Sequence, residues 1–221
     1  MNLKQALISH LGFLDTLSLL FKKANPARPV LFTIPNSFLP DRLVNQWLPA
    51  YQILQRAACV QPGERLLVHD AASPAGQALL ELACLDGLKC YGTASAAKHE
   101  LLEELGTVGI DSRREDFLSA IRTLCGDGVD VVVHPLDLPR LTRSFRALRR
   151  GGRLVVWFSP LAHPPFLRRL EAWLEIALLK LLPNGKQVIL YRPVAWQRMH
   201  PAWFRKDLSL LADWMEEGKL I

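Results

Sequence analysis

Arg65-Leu66-Leu67-Val68-His69, followed by Asp70-Ala71-Ala72-Ser73-Pro74-Ala75-Gly76 and then Gln77-Ala78-Leu79-Leu80-Glu81-Leu82-Ala83, is the stretch on which the fold turns. A short apolar run of strand length gives way across one tight turn to helical periodicity at Leu79, Leu80, Leu82 and Ala83. The same switch repeats downstream. Lys89 to Ala94 reads as a second strand, 97–105 as a helix, the neighbourhood of Gly109 and Ile110 as a brief strand, and 115–124 as a helix stopped by Gly128. Val129-Asp130-Val131-Val132-Val133-His134 is the most strand-like run, 140–148 is helical, and Gly151-Gly152 turns into Arg153-Leu154-Val155-Val156-Trp157-Phe158. A helix over 166–182, a strand over 187–191 and a helix over 203–217 complete the pattern. Strand and helix alternating at this rhythm predict an α/β fold, a doubly wound parallel sheet of the Rossmann type.

Upstream, Leu3, Leu7, Leu11, Leu14, Leu17 and Phe21 recur at helical spacing, with Lys22, Lys23 and Arg28 behind them. Residues 1–28 are read as an N-terminal helical extension and 29–221 as the Rossmann-like domain. The extension is expected to pack on the protein; a membrane-surface helix is the alternative. The 221 residues are half hydrophobic and 22% charged, which excludes a disordered chain. The net charge of +6 suits an anionic ligand, but the basic residues are scattered, without interleaved aromatics, so no nucleic-acid partner is expected. Residues 167–182 carry Arg168, Arg169, Glu171, Glu175 and Lys180, which a membrane span tolerates poorly. Cys59, Cys84, Cys90 and Cys125 form no Cys-x-x-Cys pair. They are expected as small buried hydrophobes in a reducing compartment, with no metal, and the protein as cytoplasmic.

A sheet of this kind binds its ligand at the carboxyl ends of its strands, beside the first strand. A diphosphate there needs backbone N–H groups at a helix N-terminus and little side-chain obstruction. The turn 69–76 retains one glycine, Gly76; Pro74 has no N–H, and Asp70 adds negative charge where a diphosphate would arrive. His69, Asp70, His134 and Asp137 fall at the ends of the first and fourth strands, where a histidine beside a carboxylate is a candidate general acid or base. His163 is a candidate addition, with a rigid turn between Pro160, Pro164 and Pro165 as its other reading.

Gln61-Pro62-Gly63-Glu64-Arg65-Leu66-Leu67-Val68-His69, Tyr91-Gly92-Thr93-Ala94-Ser95 with Lys98, Gly151-Gly152-Arg153-Leu154-Val155, and His200-Pro201 followed by Trp203-Phe204 together resemble the medium-chain dehydrogenase/reductase superfamily, in its zinc-free NADPH:quinone oxidoreductase branch. The resemblance spans residues 28–221. It implies a Rossmann domain whose loop pattern, His-Gly-Ala-Ala-Gly-Gly-x-Gly, is matched here at Gly76 while Asp70, Ser73 and Pro74 stand in glycine places. It implies that any cofactor is NADP(H), weakly held, with Ser73 and Gly76 at the diphosphate and Ser95 and Lys98 at the 2′-phosphate. Ser112 stands where the family often has Tyr. Lys98 also reads as an ordinary solvated helix residue. The family's catalytic GroES-like domain is expected to be absent, so the isolated chain is expected to lack quinone reductase activity unless a partner chain supplies that half. Related reductases pair the sixth strand with its symmetry mate, which predicts a homodimer through residues 187–191.

Overall fold

The computed structural model describes residues 42–111, 116–139, 141–158 and 166–220. The predicted extension over 1–28, Ser112 and His163 lie outside the described residues. A helical segment, α1 (43–58), opens the described chain; its turns are wide at Leu43–Trp47 and Gln52–Ala58 and α-helical at Leu48–Tyr51. There follow β1 (Arg65–Val68), α2 (Pro74–Leu85), β2 (Lys89–Ala94), a 3₁₀ turn at Ala96–Lys98, α3 (His99–Glu104), β3 (Thr107–Asp111), α4 (Phe117–Cys125), β4 (Val129–Pro135), α5 (Leu141–Ala147), β5 (Leu148–Trp157), α6 (Phe166–Lys180), β6 (Gln187–Tyr191), α7 (Pro193–Met199) and α8 (Pro201–Glu216). The strands form one six-stranded sheet in the order β3-β2-β1-β4-β5-β6, every pairing parallel. The chain is an α/β doubly wound protein, and its order reverses between β1 and β4.

Alternation along each central strand divides the apolar run between two faces. Leu66, Val68, Val131, Val133 and Val155 face α1, α2 and α8, whereas Leu67, Val132, Leu154 and Val156 face α4, α5 and α6. The amino ends of the strands are tied by charge: Arg65 pairs with Asp127 at 2.6 Å, Arg149 with Asp130, and Arg153 with Glu64. Gly128 makes the turn into β4 at φ +109°, and a Cβ there would sit 2.4 Å from the Ala147 carbonyl oxygen. Only glycine fits so close a contact in that conformation.

Three details differ from the sequence reading. The Gly151-Gly152 pair lies inside β5, where the register against β4 shifts, because a bulge absorbs the extra residues. The helix expected over 203–217 is found as Pro201–Glu216, but it is preceded by a helix that the sequence reading did not name, Pro193–Met199, and each is opened by a proline in its first turn. Of the four cysteines, Cys90 is buried, Cys125 half-buried, and Cys59 and Cys84 exposed, since Cys84 falls on the outward side of the last turn of α2. Among the described residues, no helix is long and apolar enough to cross a membrane.

β6 lies at one edge of the sheet. Tyr191 at its end donates to Gln52 at 2.9 Å, Gln52 donates to Asp207 at 3.2 Å, and Asp207, fully buried, pairs with Arg56 at 2.6 Å. That chain of bonds joins β6, α1 and α8. On the opposite face, α6 packs Ala172, Ile176 and Leu179 inward, while Leu167, Leu170, Leu174 and Leu178 stay exposed. Leu181, just beyond the helix, continues that stripe at 78% exposure.

Candidate functional site at the carboxyl ends of the central strands

β1 and β4 are neighbours, with Val68 opposite Val133, so the residues that follow them meet at the switch point. The loop after β1 leaves the sheet through Asp70, at φ +54°, a left-handed conformation that aspartate adopts more readily than most non-glycine residues. Its backbone remains stitched to the sheet, His69 N–H donating to Val133 O and Ala71 N–H to Thr93 O, each at 3.1 Å. The loop then folds onto α2. Ser73 caps that helix: its hydroxyl donates to Asp70 O at 2.8 Å and accepts from Gly76 N–H at 3.1 Å. A Cβ at position 76 would lie 2.5 Å from Asp70 O, so Gly76 is what lets loop and helix touch.

The capping arrangement decides what the helix terminus can offer. Pro74 has no N–H, and that of Gly76 is occupied by Ser73. The Asp70 carboxyl is held above its usual value by burial, against the Ser73 hydrogen bond that lowers it, with the Asp137 charge adding to the rise. Asp70 and Asp137 are both exposed residues at the mouth of the crevice, the Asp70 carboxyl partly shielded. Ser95 and Lys98 follow β2, the strand next to β1; Ser95 is half-buried and Lys98 exposed.

The two histidines are brought together, beneath the surface. His69 is 6% exposed and His134 2%, with ring centroids 5.1 Å apart. Ser144 of α5 lies between them, its oxygen 2.9 Å from His69 Nε2 and 2.9 Å from His134 Nδ1. The far nitrogens reach Thr93 Oγ1 at 3.1 Å and Leu138 O at 3.2 Å. A carbonyl oxygen can only accept, so His134 Nε2 donates to Leu138 and, in the neutral ring, Nδ1 accepts from the Ser144 hydroxyl. Ser144 in turn accepts from His69 Nε2–H, and His69 Nδ1 accepts from the Thr93 hydroxyl. Burial first, and then His134, hold the His69 imidazole well below its ordinary 6.5, consistent with a neutral ring. Phe117 stands edge-on to His69 at 4.7 Å, and the Arg143 guanidinium lies 5.1 Å from the centre of the Phe117 ring.

The sequence-derived set is therefore split: His69 and His134 share a buried chain of hydrogen bonds, and Asp70 and Asp137 share the solvent-facing mouth. Thr93 and Ser144 complete the chain; the sequence reading quoted Thr93 only within a motif and did not single out either as a site residue. Among the described residues, no group of three or more His, Cys, Asp or Glu is placed to hold a metal ion.

The zinc-binding dehydrogenase family matches residues 74–164. The human synaptic vesicle membrane protein VAT-1 homolog is 36% identical over 131 residues, covering 57% of this chain and 33% of that protein. The chain spans about a third of the length of such curated relatives. The nucleotide-binding subdomain of the enoylreductase domain of PpsC from Mycobacterium tuberculosis is 31% identical, with a TM-score of 0.63 over 79% of this chain and 94% of that one. The CurK enoyl reductase is 28% identical, with a TM-score of 0.67 over 88% of this chain and 55% of that chain. With 31% identity across nearly the whole of a nucleotide-binding subdomain of an enoylreductase, this chain belongs to the medium-chain dehydrogenase/reductase superfamily and resembles the NADP-binding portion of its enoyl and quinone oxidoreductases.

Proposed function

We propose that this Rossmann domain carries a degenerate dinucleotide site, binding NADP(H) weakly or not at all, and has no independent redox activity. The observation that carries this reading is the Ser73 cap. A side chain already occupies the Gly76 N–H that a diphosphate would use, next to a proline without an N–H and an aspartate of the wrong charge. Such a loop does not fit the diphosphate. Hydride transfer also requires a closed, water-poor pocket that one domain cannot wall alone. Calorimetric titration with NADPH and NADH tests the reading; a Kd near ~1 μM, about −8 kcal/mol, would overturn it.

A second reading is favoured by Ser95 and Lys98, which follow β2 beside the crevice with no acid between residues 92 and 98. Here a partner chain supplies the catalytic half, and NADPH is bound at the joint site. A pulldown followed by quinone and enone reduction assays separates the two. The chain is further read as a homodimer through β6, with the leucine face of α6 as additional apolar surface, and as cytoplasmic, supported by its four free cysteines.

A further inference from the structure

Cys84 lies in the last turn of α2 and Cys90 in β2, and the short turn between them brings their sulfurs within 4.0 Å. Their surroundings differ. Cys84 is exposed, with its Sγ 2.9 Å from the Leu105 carbonyl, while Cys90 is 4% exposed, with its Sγ 3.8 Å from Leu88 O. We propose that Cys84 and Cys90 are a peroxide-oxidisable dithiol, Cys84 being the sulfur attacked from solvent and Cys90 the one that resolves it.

In the first step the Cys84 thiolate attacks one oxygen of hydrogen peroxide. An S–O bond forms, the O–O bond breaks, and the departing hydroxide takes a proton to become water. In the second, Cys90 gives up its proton and its sulfur attacks Cys84; the S–S bond forms, the S–O bond breaks, and hydroxide leaves with that proton as water. Two thiols lose two electrons and one peroxide becomes two waters. The assignment of roles matches the electrostatics: the pairing with Cys90 brings the Cys84 thiol down to about 7, against its partial burial, and the same pairing with burial pushes Cys90 up. Side-chain rotation has to carry the sulfurs from 4.0 Å to about 2.05 Å, a closure of roughly one S–S bond length. Cys59, exposed with its Sγ near the Arg56 carbonyl, is an internal control for unassisted oxidation.

The test uses the full chain, treated with hydrogen peroxide, quenched with N-ethylmaleimide and cut with trypsin. Because Lys89 separates the two cysteines, the expected product joins the peptides 66–89 and 90–98, is released by dithiothreitol, and forms at least ten times faster than oxidation of Cys59. In Cys90→Ser, Cys84 is expected to accumulate as a sulfenic acid trapped by dimedone; in Cys84→Ser, Cys90 is expected to stay a thiol. Maleimide on both Cys84 and Cys90 of the wild-type chain after Cys59 has been oxidised would overturn the proposal, as would Cys84 sulfinic acid with Cys90 still free.

Discussion

Asp70 holds a left-handed backbone that costs a non-glycine residue about 1 kcal/mol, and it places a carboxylate at the mouth of the crevice beside Asp137. The double substitution Asp70→Gly with Pro74→Gly removes the charge and restores an N–H to the first turn of α2. NADPH affinity should rise by about tenfold, or about 1.4 kcal/mol, measured by calorimetry; an unchanged affinity would show that the loop is not the obstacle. His69 gives a pH signature. Its folded value lies well below 6.5 because the ring is buried and next to His134. As the pH falls through 6.5 the unfolded chain takes up a proton there and the folded chain does not. The stability it confers is whole above 6.5 and drains away below it, by up to about 1.4 kcal/mol per pH unit, until the folded value is reached. Urea unfolding from about pH 7.5 to pH 5 should show this slope, and His69→Gln should flatten it.

Between elements, the bond chain Tyr191–Gln52–Asp207–Arg56 does what packing alone would not: it fixes α1 and α8 to the edge strand. Asp207→Ala strands the Arg56 guanidinium and the Gln52 amide, and should cost about 3 kcal/mol, the lower end for a broken buried pair because Arg56 is partly exposed. Thermal unfolding measures it. The legibility of these elements from sequence followed the distance over which each is specified. β4 is buried on both faces along its whole length, so its valines announce it locally, and the strand-to-helix switch at Ser73 and Pro74 is equally local. α1 was not legible, because Pro49 interrupts a pattern whose widened turns do not repeat at 3.6 residues. Position 73 was legible as a missing glycine; its role as a cap needed the Gly76 N–H in view. The histidine chain was half legible. His69 and His134 stood out as polar strand ends, but Ser144 lies 75 residues from His69, and no local spacing points from one to the other.

For the whole molecule, β6 is an edge strand with no strand paired on its outer side among the described residues; Val188, Ile189 and Leu190 are half-buried and no proline lies within the strand. Two-fold pairing of that edge closes without propagating. Sedimentation equilibrium should give twice 24.9 kDa, and Ile189→Lys should return the mass to 24.9 kDa. A wild-type monomer at high concentration would refute the pairing, and a dimer indifferent to the substitution would move the interface, with the exposed leucines of α6 the next surface to charge. The strand order also has a consequence during synthesis. Among the described residues β1 precedes every other strand yet ends in the middle of the sheet, and the Asp130 carboxylate that accepts from Arg65 N–H comes 65 residues later. At about 5–20 residues per second, a ribosome needs on the order of 3–13 s to deliver that partner. For those seconds β1, β2 and β3 can form a half-sheet whose inner edge, Leu66 to Val68, faces water or a chaperone in place of Val131 to Val133. The nascent chain, rather than the finished one, is where this topology is most open to wrong pairing.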